Sequence, residues 1–76
     1  MEKIREILID IRPEYDFLDK VDFIEAGMLD SFDVINLVNE IEEQFKIQID
    51  GSNILPENFS SIISIRNLII LSGGKI

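Results

Sequence analysis

The hydroxyl of Ser31 stands between two carboxylates, with Asp30 immediately before it and Asp33 two residues after it, where an amphipathic segment begins. A serine becomes a nucleophile in its own protein's catalysis when a base, usually His or Lys, takes its proton and a third group orients that base. The chain has no His, and Lys20 and Lys46 lie far from Ser31 in sequence, so only a fold that doubles back brings one near. Asp30 and Asp33 are weak bases unless buried, and exposed first-turn positions would keep them so. Ser31 therefore reads as an acceptor that another enzyme modifies.

The first turn of a helix points unpaired backbone N–H groups outward and favours an anion, so a phosphodiester on Ser31 can be held there. The two aspartates oppose it by like charge. They make more sense as recognition by a basic partner, or as help in holding a divalent cation during phosphate transfer. The plain alternative is a helix cap, because Ser and Asp are favoured at helix starts for capping alone.

Seventy-six residues make one small domain, near the lower size at which a single core holds a fold. A composition 46% hydrophobic and 29% charged is that of a globular chain. A net charge of −8 makes nucleic acid and anionic membranes poor partners and favours proteins that present Lys and Arg. With neither Cys nor His, disulfides, thiolate nucleophiles and the usual zinc ligands are excluded, and no metal site is expected. No signal-like or membrane-spanning run is present, so a cytoplasmic location and a monomer are expected.

The elements that must position Ser31 follow from periodicity. Ile4, Ile7, Leu8 and Ile11 predict a helix over 2–12, stopped by Pro13. Residues 13–30 predict a long loop laid across the core by Tyr15, Phe17, Leu18, Val21, Phe23 and Ile24. Val34, Leu37, Val38, Ile41 and Phe45 mark the buried stripe of a second helix, with Asp30 as N-cap and Asp33 at the third helical position, near the positive end of the dipole. Ile47 and Ile49 alternate like a strand that has no partner, so an extended segment is expected there, followed by a turn at Asp50-Gly51-Ser52-Asn53. Pro56 opens a short helical turn to about Ser60; Ser64 caps a last helix from Ile65 to about Leu71, ended by Gly73-Gly74. The expected fold is all-α: a bundle of three main helices plus one short one, with a long first loop.

Gly27-Met28-Leu29-Asp30-Ser31-Phe32-Asp33, the helix through Glu42-Glu43-Gln44-Phe45, the Ile47 and Ile49 pair, the Pro56 turn and the last helix together resemble the acyl carrier protein family, including aminoacyl and peptidyl carriers. The resemblance covers nearly the whole chain. It implies that Ser31 receives 4′-phosphopantetheine from coenzyme A through a dedicated phosphopantetheinyl transferase and magnesium. It also implies that the thiol of that arm carries acyl or aminoacyl groups as thioesters between a loading ligase or synthase and later acyl-transfer enzymes. The carrier itself is then no enzyme. An unmodified helical adaptor of carrier-like fold is the alternative.

The outward side of the second helix carries Phe32, Asn36, Asn39 and Glu43, flanked by Asp33 and Glu40 on one side and Ile35 and Glu42 on the other. With Asp30, these are the expected partner-recognition residues: Phe32 and Ile35 as a small apolar anchor, the acids as a charged rim. Asn36 and Asn39 depart from the acidic fatty acid carriers, which often have an acidic and an apolar residue there. Phe32 and the Leu55-to-Ser61 stretch look closer to carriers of dedicated pathways, such as D-alanyl, other aminoacyl or secondary-metabolite carriers. Glu40, Glu42 and Glu43 are read as surface charge, since general acid chemistry needs one carboxyl set apart by burial.

Overall fold

The computed structural model describes residues 2–18 and 21–75; Lys20, weighed above as a base, lies outside them. Helix α1 (Glu2–Ile11) buries Ile4, Ile7 and Leu8, the face its spacing predicts. Arg12 adds one last helical hydrogen bond to the Leu8 carbonyl at 2.9 Å before Pro13 breaks the ladder. Helix α2 (Ser31–Phe45) buries Leu37, Val38 and Ile41 and ends at Lys46, whose left-handed backbone (φ 56°) turns the chain back. Helix α3 spans Ile62–Leu71, after short 3-10 turns at Gly51–Asn53 and Pro56–Phe59. No strand occurs among the described residues, so the expected all-helical architecture stands.

The long connection from α1 to α2 is held by its own hydrogen bonds. The Asp22 carboxylate accepts from the Ile24 and Glu25 N–H groups at 2.9 and 3.0 Å. Gly27, at φ 75°, supplies a left-handed turn that a side chain would resist. The Phe23 carbonyl accepts from both Met28 and Leu29, and the Phe23 N–H reaches the Ser60 carbonyl at 2.8 Å, tying the loop to the second 3-10 turn. Phe17 and Phe23 pack edge to face, 5.1 Å between ring centres, and both are fully buried. Those rings fill the space beneath the loop. Leu18 and Val21, expected against the core, are exposed instead.

Helix α3 begins three residues before the expected start. Ser61, in extended conformation, accepts from the Ser64 N–H at 3.0 Å and is the N-cap; Ser64 lies inside the first turn. The earlier start places Ile62, 1% exposed, in the core beside Ile65, Leu68 and Ile69. Burial of that residue selects between two serines of equal capping chemistry. Ser61→Ala is expected to lower stability by about 1 kcal/mol and Ser64→Ala by clearly less, read from urea unfolding; the reverse order would restore Ser64 as the cap.

Candidate functional site

Asp30 has an extended backbone, and its Oδ1 accepts from the Asp33 N–H at 2.8 Å, while Asp33 Oδ2 accepts from the Asp30 N–H at 3.1 Å. This reciprocal capping box satisfies two N–H groups that a helix start would leave unpaired. Ser31 is the first helical residue, exposed, and its Oγ joins no hydrogen bond among the described residues. The expectation of an accessible hydroxyl at a fixed helix start therefore holds in the structure.

The capping box is anchored from outside its own helix. Arg12, just past the end of α1, donates from Nε to Asp33 Oδ2 at 2.8 Å and lies with Nη2 3.4 Å from Asp30 Oδ2; its Nη1 meets Glu14 at 3.2 Å. One guanidinium thus joins the two ends of the connection that it begins and Asp30 closes. Its planar fork is suited to several carboxylates at fixed angles. Hydrogen bonding to Asp33 and then Glu14 raises the Arg12 pKa above its ordinary value. The Asp33 N–H is the largest influence holding the Asp30 carboxyl below its ordinary value, with Arg12 assisting and partial desolvation opposing.

Asp33 corrects a sequence expectation: it is 6% exposed, where an exposed first-turn position was expected. Burial is tolerable because its carboxylate accepts from Arg12 and from the Asp30 backbone. Glu42 corrects another. Rather than free surface charge, it is half-buried, and its Oε2 accepts from the Ile49 N–H at 2.9 Å. That bond holds the returning chain against α2. Of the remaining outward residues, Phe32 and Ile35 are 69% and 57% exposed, Asn39, Glu40 and Glu43 are exposed, and Asn36 is half-buried.

Beside Ser31 lies an apolar groove of about 380 Å³ walled by Ile24, Leu29, Val34, Ile35, Ile54 and Leu55, with Asp30 and Ser31 also lining it. Sequence reasoning missed Arg12, Ile54 and Leu55. Short-range bonds such as Ile54 N–H to the Gly51 carbonyl shape the turn that carries Ile54 and Leu55, but its placement beside Ser31 joins residues far apart in sequence, so no local signal pointed to them. Lys46 follows the far end of α2, about 20 Å along the axis from Ser31, too far to take its proton. No group of three or more metal-binding side chains occurs among the described residues. The arrangement offers a presented hydroxyl with an apolar resting surface beside it.

Residues 2–69 match the family model described as the phosphopantetheine attachment site. No curated protein and no solved structure matches the chain.

The Asp30 shift fixes the sign of a pH effect. A carboxyl whose folded-state pKa lies below its ordinary 3.8 contributes stability that is present above that value and lost as pH falls through the lower one. Asp30→Asn keeps a capping oxygen without the charge, so as the pH is lowered below the ordinary 3.8 it should lose less stability than the parent chain, followed by circular dichroism in urea. Equal losses would show that the Asp30 charge contributes nothing.

Proposed function

Since the chain belongs to the phosphopantetheine attachment site family, whose members carry 4′-phosphopantetheine covalently, we propose that Ser31 is the residue that bears the arm. The observation that carries this is the exposed, unpaired Ser31 hydroxyl at the first position of a helix whose start is locked by Asp30, Asp33 and Arg12. Attachment joins Ser31 Oγ to the pantetheine-bearing phosphorus of coenzyme A, breaks the pyrophosphate bond with release of adenosine 3′,5′-bisphosphate, and passes the hydroxyl proton to a base from the transferase. The phosphodiester then sits at the positive end of the α2 dipole, whose first N–H groups the capping box already engages.

When bound, the arm supplies a thiol that carries acyl or aminoacyl groups as thioesters. The chain's residues present that arm and offer it a surface: the groove walled by Ile24, Leu29, Val34, Ile35, Ile54 and Leu55 gives apolar material a place to lie. Tethering raises the effective concentration of cargo at each docked enzyme.

The proposed docking face for the transferase and for acyl- or aminoacyl-handling enzymes is the exposed side of α2. Phe32 and Ile35 form its anchor, Glu40 and Glu43 its charged rim, and Asn36 and Asn39 its neutral centre. Asp30 stands at the edge of this face, within reach of a transferase, whereas Asp33 and Glu42 serve it from within by holding the helix start and the returning chain. An acidic rim favours partners with Lys and Arg and acts mainly on encounter rate.

Incubating the unmodified protein with coenzyme A, magnesium and a broad-specificity phosphopantetheinyl transferase should add one phosphopantetheine, seen by intact mass. Ser31→Ala should abolish the gain, and Phe32→Ala combined with Ile35→Ala should slow it about tenfold or more. An adduct that survives Ser31→Ala moves the attachment elsewhere. A chain isolated from its native cell only in the unmodified state favours the adaptor reading.

A further inference from the structure

Esterifying Ser31 with a phosphodiester places a full negative charge next to Asp30 and two residues from Asp33, beside carboxylates that already share one corner of the protein. Like charges this close repel even at exposed positions such as Asp30 and Ser31. The structure holds a cation at that corner. Arg12 directs the Nε and Nη2 edge of its guanidinium to the Asp33 and Asp30 carboxylates at 2.8 and 3.4 Å and its remaining nitrogen to Glu14. It lies just past the end of α1, 18 and 21 residues away in sequence from the two aspartates, so it reaches the first turn of α2 from outside that helix.

We propose that Arg12 is the internal counter-charge for the group on Ser31, a positioning residue that keeps the helix start formed once the phosphodiester is attached. The inference rests on the reading of Ser31 as the attachment residue. It separates two roles that one ion pair can have. A merely structural Arg12 supports the unmodified and modified proteins equally. A counter-charge supports the modified protein more, because there it also offsets an added negative charge.

The test is a thermodynamic cycle of Arg12→Gln against attachment of unloaded phosphopantetheine, with urea unfolding of all four forms. Arg12→Gln is expected to lower the folding equilibrium constant of both forms, and by about two- to fivefold more in the modified one, the range of a solvent-screened charge pair. The excess should vanish near 1 M salt, where screening acts within roughly 3 Å. Arg12→Lys, which keeps the charge and lacks the planar fork, should weaken both forms equally. If Arg12→Gln does not fold in buffer alone, the same cycle is run in sucrose, which stabilises the compact state without removing the charge difference, and the same excess is expected there. Equal losses in the Arg12→Gln pair, or an excess in the Arg12→Lys pair, overturn the counter-charge role and leave Ser31 as the attachment residue. Failure of the parent chain to accept an adduct at Ser31 overturns both.

Discussion

The contact of the Arg12 guanidinium with Asp33 and Asp30 is the constraint on which the rest depends. Asp33 is the charged side chain buried most deeply among the described residues, and a carboxylate taken out of water without partners would be costly. Arg12 makes the burial tolerable, and the buried carboxylate in turn fixes the Asp30 backbone through its N–H. Since Arg12 begins the long connection and Asp30 ends it, the same contact closes the loop and sets where α2 starts on the body. Ser31 is exposed at a defined place because the residues on both sides of it are held.

Around that start, three stretches of chain converge. The first loop supplies Ile24 and Leu29, α2 supplies Val34 and Ile35, and the returning chain supplies Ile54 and Leu55. The returning chain is positioned by the Glu42 carboxylate on the Ile49 N–H and by burial of Ile49, 5% exposed. A protein without Cys or His has little reactive chemistry of its own. A phosphopantetheine carrier does not require it, because its reactive sulfur is borrowed; on the reading proposed above, the polypeptide contributes the attachment point at Ser31, an apolar surface beside it and a docking face on α2.

Much of this was legible in the sequence, for physical reasons. Helical periodicity is local, so the buried faces of α1 and α2 and the capping role of Asp30 could be read from spacing, and Pro13 and Pro56 act within one or two residues. What could not be read depends on tertiary partners. Asp33 has the composition of an exposed first-turn acid; its burial is decided by Arg12, 21 residues earlier. Glu42 looks like surface charge in the run Glu40 to Glu43 until the chain returns to place the Ile49 N–H beside it. Ser61 and Ser64 offer the same capping chemistry, and only the burial of Ile62 chooses between them. Leu18 and Val21 carry the apolar signature of core residues but are exposed, while the neighbouring rings of Phe17 and Phe23 are buried.

The central claim is that a hydroxyl locked at the start of α2 is esterified from outside, and its most direct test is a proton–phosphorus correlation spectrum of the protein isolated from its native cell. The account predicts one phosphodiester resonance coupled both to the Ser31 β-protons and to methylene protons of the arm. A chain without phosphorus, or with its phosphorus coupled to a different side chain, would contradict it.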